Sequence, residues 1–147
     1  MDKHEHNKEY AKEYIKQYDN EEFEKILVEI RRRKVLEVLD KYSPSNILEI
    51  GCGLAPLFNY YKEYDTFTIV EPVTNFVENA KHLSKDDHRI SVHEGFFEDV
   101  ATKLFGFNYD FIVISSLLHE IEDPSNFLQA VFSISNKNTV IYFDVPN

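Results

Sequence analysis

The stretch Ile47, Leu48, Glu49, Ile50, Gly51, Cys52, Gly53 places two near-adjacent glycines behind an apolar run, and Glu71 follows twenty residues beyond Gly51, at the end of Thr68, Ile69, Val70. A buried strand that breaks into such glycines lets a ligand approach the backbone closely, and an acid ending the next strand can accept hydrogen bonds from ribose hydroxyls. Together these residues describe a nucleoside pocket. Further along, His119 stands with Glu120 and Glu122. An imidazole exchanges protons near neutral pH, so this group offers a general base and a carboxylate to orient it. His119 equally suits plain packing or hydrogen bonding in a loop.

The elements that must hold these residues are legible in the apolar spacing. From Asn46 onward, short apolar runs alternate with amphipathic segments, the pattern of a parallel sheet with crossover helices. Strands are predicted at 46–50, 66–70, 89–93, 110–115 and 139–143, with helices at 54–63, 74–84, 97–105 and 124–134. Phe97, Val100, Ala101, Leu104 and Phe105 form one stripe of the third of these helices, and Asp123 with Pro124 reads as the N-cap and first turn of the last. The fold class is α/β, a three-layer αβα Rossmann-like sheet, and right-handed crossovers make the strand order 3-2-1-4-5. The glycine turn then sits at the switch point where ligands bind.

Ahead of this domain (46–147), residues 1–45 read as a helical cap. Residues 1–8 are charged and expected to fray, and Tyr10, Tyr14 and Tyr18 share one face of a short helix. A second helix over 21–42 carries Phe23, Ile26, Leu27, Ile30, Val35, Val38, Leu39 and Tyr42 at helical spacing and closes at Ser43, Pro44. Its basic run, Arg31, Arg32, Arg33, Lys34, is flanked by Glu29 and Glu37 and reads as a solvated face.

Bulk properties narrow the function. The 147 residues suit one domain, and a net charge of −10 disfavours nucleic acid, whose binding rests on Lys and Arg releasing counterions. Cys52 is the only cysteine, so no intramolecular disulfide forms, and no apolar run approaches the roughly 20 residues of a membrane span. The start lacks the apolar core of a secretion signal, so a cytoplasmic location without membrane partners is expected. His119 has no second histidine four residues on, where Asp123 stands, and no metal is expected.

The set ILEIGCG at 47–53, IVEP around Glu71 and YDFIVISSLLHEIEDP at 109–124 resembles the class I S-adenosylmethionine-dependent methyltransferases over about residues 46–147. The resemblance implies S-adenosyl-L-methionine as cofactor. Glu49 would reach its amino group, with Gly51, Cys52, Gly53 and Leu54 lining the path, and Glu71 with Pro72 would hold the ribose. Phe96 stands where the family often has an adenine-binding acid, so aromatic contact from Phe96 and the Phe97 backbone would serve instead, with Ser115 and Tyr14 completing the site. Tyr14 would belong to a lid, while Tyr18 would dock onto the domain. Ser115 and Ser116 replace the magnesium-binding acid of catechol-type relatives and do not match the motif of base methylases. The family's final two strands are missing after Val145, Pro146, Asn147, which implies truncation or a fifth-strand edge that pairs with a second copy.

Against this stand two rivals. A nicotinamide-dependent dehydrogenase also uses two glycines and a following acid, but Pro56 stands where passage of a pyrophosphate needs a third glycine. A non-catalytic cofactor- or partner-binding domain would tolerate the missing adenine acid. By analogy with the family, the acceptor is a small molecule or a sugar-linked metabolite, methylated on oxygen or nitrogen.

Overall fold

A computed structural model describes residues 3–20 and 22–146, without the side chains of 3–5, 7 and 17–20. Helices α1 (Lys3–Asn20) and α2 (Glu22–Tyr42) precede β1 (Asn46–Ile50), β2 (Thr66–Glu71), α3 (Thr74–Ser84), β3 (Ile90–Glu94), α4 (Phe97–Val100), β4 (Phe111–Ser115), α5 (Pro124–Ser133) and β5 (Val140–Asp144). All strand pairings are parallel and the order is β3-β2-β1-β4-β5, as predicted.

Successive side chains of a strand point to opposite faces, and the apolar runs of β1 and β4 therefore fill two cores. Ile47, Phe67, Ile69, Phe111 and Val113 meet Val35 and Leu39 of α2 and Ala80 of α3 on one face. Leu48, Ile50, Val70, Ile112 and Ile114 meet Phe97 and Val100 of α4 and Phe127 and Val131 of α5 on the other. The start of β1 is pinned by Asp110, whose Oδ2 accepts from Ser45 N at 3.0 Å and Asn46 N at 2.9 Å. At α5 the expected cap is in place, with Asp123 accepting from Asn126 N at 3.0 Å.

Several local expectations are corrected. No α-helix spans 54–63; only the 3₁₀ turn Leu57–Asn59 forms, because Pro56 is extended at ψ 140° and the loop backbone is drawn onto Glu49. The helix over 97–105 stops at Val100 and continues as a 3₁₀ turn, Ala101–Leu104, after which Phe105 is extended and 56% exposed. Backbone of α1 is helical from Lys3, inside the segment expected to fray. The Tyr18 side chain, expected to dock, lies outside the described residues.

The apolar stripe of α2 is only half used. Val35 and Leu39 are fully buried against the sheet, whereas Phe23, Ile26 and Ile30 are exposed because the first half of the helix does not reach the core. On β5, Ile141 and Phe143 are exposed at the sheet edge, as is Val145 just beyond the strand. No helix among the described residues is long and apolar enough to cross a membrane.

Leu39→Ala removes the fully buried anchor of α2 and is expected to lower the unfolding free energy by about 2–5 kcal/mol, read from urea melts.

Candidate functional site

β1 and β2 lie side by side in register, Glu49 opposite Ile69 and Ile50 opposite Val70, so their carboxyl ends open at one level. There the chain leaves β1 through Gly51 at φ +77° and Gly53 at φ +54°, values that side chains rarely tolerate. The positive φ is what calls for glycine at position 51, and a Cβ there would also lie 3.0 Å from Leu117 Cδ2, so that the leucine end would have to shift. Around Gly53 nothing lies within 4 Å of such an atom, which leaves the backbone open to a ligand.

Two buried carboxylates hold this loop. Glu71 accepts from Gly53 N at 3.2 Å and from Val73 N at 2.9 Å. Glu49 Oε2 accepts from Leu57 N at 3.0 Å. No cation pairs with either acid among the described residues.

The loop opens into a cavity of about 1670 Å³ that brings the sequence-predicted residues together. Glu49, Gly51, Cys52, Gly53 and Leu54 line it from β1 and the loop beyond, and Glu71 and Pro72 from the end of β2. Phe96 and Phe97 line it at the start of α4, Ser115 at the end of β4 with His119 beyond, and Tyr14 from α1. Their side chains differ in disposition. Phe97 is 3% exposed and packs edge-on to Phe127 with centroids 5.7 Å apart, whereas Phe96 is 36% exposed. Ser115 Oγ donates to Asp144 Oδ2 at 2.8 Å, and Ser116 N donates to Oδ1 of the same residue at 2.8 Å, which ties the loop after β4 to the end of β5.

Tyr14 meets Phe76 edge-on at 5.9 Å and stacks with Tyr10 at 6.1 Å. Tyr10 OH in turn donates to Glu120 Oε1 at 2.9 Å, joining α1 to the loop that carries His119. That same oxygen lies 3.5 Å from His119 Nε2, a loose approach between two partly exposed side chains. Glu122 also lines the cavity.

One reading of α2 is corrected here. Arg31 and Arg32 are half-buried and line the cavity, so this part of the basic run is not a solvated face. The signal was present in the sequence: Glu24, Val28, Arg31 and Val35 fall on one helical stripe, and all four line the cavity. Asp99 and Asn126, which the sequence did not single out, line it as well. Among the described residues, no group of three or more His, Cys, Asp or Glu side chains is arranged to hold a metal ion.

A parallel sheet in this order, with a glycine loop at the switch point and an acid closing the adjacent strand, defines a Rossmann-like fold of the class I methyltransferase type. The family model described as a methyltransferase domain matches residues 18–147, and the chain belongs to that family.

Solved structures with the same fold include the N-methyltransferase NodS from Bradyrhizobium japonicum WM9 in complex with S-adenosyl-L-homocysteine, at TM-score 0.68 and 20% identity over 86% of this chain. The plantazolicin methyltransferase BamL, in complex with a triazolic desmethylPZN analog and S-adenosyl-L-homocysteine, aligns at TM-score 0.66 and 18% identity over 95% of this chain. The [4+2]-cyclase SpnF aligns at TM-score 0.63 and 13% identity over 76% of this chain. The chain spans 64% of NodS, 56% of BamL and 44% of SpnF. No curated protein matches it.

Burial sets the electrostatics of the loop. Glu49 is pushed up from 4.5 to about 8, first by desolvation and further by the neighbouring Glu71, against the opposing hydrogen bond from Leu57 N. Burial likewise raises Glu71, offset by bonds from Val73, Gly53 and Cys52, and it pushes the Cys52 thiol upward. Tyr10 is raised by burial and by Glu120, which keeps its hydroxyl a donor.

For Glu49 the folded-state value lies above the unfolded one, so its favourable contribution is complete below pH 4.5 and is lost as pH rises through about 8. Glu49→Gln removes the ionisation. Relative to the parent chain, the variant is expected to gain stability between about pH 5 and pH 9, by on the order of 1 kcal/mol per pH unit at the steepest. Denaturant melts of both proteins across that range, showing parallel curves instead, would contradict the assignment.

Proposed function

We propose that the chain transfers a methyl group from S-adenosyl-L-methionine to a small-molecule or sugar-linked acceptor, on oxygen or nitrogen. The carrying observation is the convergence of Glu49 and Glu71, both buried and, among the described residues, without a cation, on a glycine loop with an open backbone. Such a site suits a ligand with a cationic amino-acid end and a ribose with two hydroxyl donors. In this reading Glu49 takes the ammonium, Glu71 the ribose, and Phe96 with the Phe97 backbone the adenine. NodS and BamL, both solved with S-adenosyl-L-homocysteine, support the choice of cofactor.

The sulfonium of the cofactor supplies a methyl group that is already activated. What remains for the protein is to align an acceptor and exclude water, an arrangement that can contribute on the order of 7–11 kcal/mol. Tyr14, packed on Phe76, closes the cavity from α1. His119 takes the acceptor's proton, and Glu120 beside it stabilises the imidazolium that forms. A cytoplasmic location and pairing of two copies along β5, where Ile141 and Phe143 are exposed, belong to the same reading.

Titration calorimetry should show S-adenosyl-L-homocysteine binding and no binding of NAD. Binding of NAD alone would transfer the site to the dehydrogenase reading. In methyl-transfer assays with labelled cofactor over amine and hydroxyl acceptors, His119→Ala is expected to lower kcat by about tenfold or more while cofactor Kd stays the same. Unchanged turnover would remove His119 from the chemistry.

A further inference from the structure

His119 and Glu120 are chain neighbours on the 3₁₀ turn Leu118–Glu120. Successive side chains of such a turn point about 120° apart, so adjacency in sequence does not by itself bring the imidazole and the carboxylate together. Yet Glu120 Oε1 lies 3.5 Å from His119 Nε2, although both side chains are more than a third exposed. A carboxylate so placed has water to turn to, and it stays beside the ring only if a group outside the turn holds it.

Tyr10 is that group. Its hydroxyl donates to the same Oε1 at 2.9 Å, from 110 residues away in the chain. Burial and the neighbouring Glu120 both raise its pKa, so it remains a donor. The phenol ring is fixed in turn: it stacks with Tyr14 at 6.1 Å, Tyr14 meets Phe76 edge-on at 5.9 Å, and the fully buried Ala11 seats α1 against Val73 and Phe76. A line of packed contacts thus runs from the start of α3, through α1, to the loop beyond β4.

A neutral imidazole carries a proton on one nitrogen and a lone pair on the other, and an acceptor beside one nitrogen draws the proton there. With Glu120 at Nε2, the lone pair is left on Nδ1. We propose that Tyr10 is a positioning residue for His119: by fixing Glu120 at Nε2 it keeps the ring in the Nε2–H form, with Nδ1 free to take the acceptor's proton. This rests on the methyl-transfer reading above, in which His119 is the base. The proton taken at Nδ1 makes an imidazolium whose charge faces Glu120, and it passes to solvent before the next turnover.

Nitrogen-15 NMR of the full chain, with His119 assigned by its loss in His119→Ala, reads the protonated nitrogen of the neutral ring without any acceptor. The parent chain is expected to hold His119 as Nε2–H alone. Tyr10→Phe, which keeps the ring stack and removes only the hydroxyl, is expected to bring in a fraction of the Nδ1–H form, as Glu120→Ala does. In methyl-transfer assays over amine and hydroxyl acceptors, Tyr10→Phe is expected to lower kcat by about three- to tenfold with KM unchanged. In the His119→Ala background the same change should have no further effect. A parent chain already mixed between the two forms, or a Tyr10→Phe chain with the parent's ratio, would overturn the proposal. A further loss in the His119→Ala background, or a raised KM, would also overturn it, since either marks a structural role in seating α1. Loss of turnover in His119→Ala without loss in Tyr10→Phe overturns the role of Tyr10 alone, whereas full turnover by His119→Ala brings down the base reading and the proposal with it.

Discussion

The structure of the site depends on carboxylates taken out of water and held by backbone N–H groups instead of cations. Glu71 receives Gly53 N and Val73 N, and Glu49 receives Leu57 N, so two acids from adjacent strands shape one loop. Amide donors satisfy the oxygens without neutralising them. Burial therefore leaves Glu49 favouring its proton, because ionising it there leaves a charge with too little solvation. The positive φ of Gly51 and Gly53 is what lets the loop bend back far enough for those bonds.

The sheet supplies the loop, and the N-terminal helices supply what the sheet lacks. α2 is seated by Val35 and Leu39 in the core beneath the cavity, and its next turns bring Arg31 and Val28 to the wall. α1 is seated by Ala11 against Val73 and Phe76 and reaches the opposite loop through Tyr10 and Glu120. The cavity is thus enclosed by elements far apart in the chain, and its shape is coupled to how those helices pack.

Identities of 13–20% to NodS, BamL and SpnF with TM-scores of 0.63–0.68 show how widely sequences diverge on this scaffold. Those three names span methyl transfer and a cyclisation. Chemistry on such a fold is decided by the side chains around the loop, and the strand order alone does not select it. In this chain those side chains include the His119–Glu120 pair, the aromatic Phe96 beyond β3 and the half-buried Arg31.

Local signals were sufficient for the sheet and for the loop. Apolar runs of strand length, the glycines after β1 and the acid closing β2 are each written within a few residues, and with the rule of right-handed crossovers they point to the strand order that the structure has. Asp123 and Pro124 mark the start of α5 for the same reason, because a cap is a contact between near neighbours. The missing helix after the glycine loop, the exposed first half of α2 and the inward turn of Arg31 were decided in three dimensions. Pro56 and the Leu57–Glu49 bond override a helical pattern, and which side of an amphipathic helix meets solvent depends on where the sheet ends. Tyr10 and Glu120 stand 110 residues apart, and only the packing of α1 across the carboxyl ends of the strands brings them into contact.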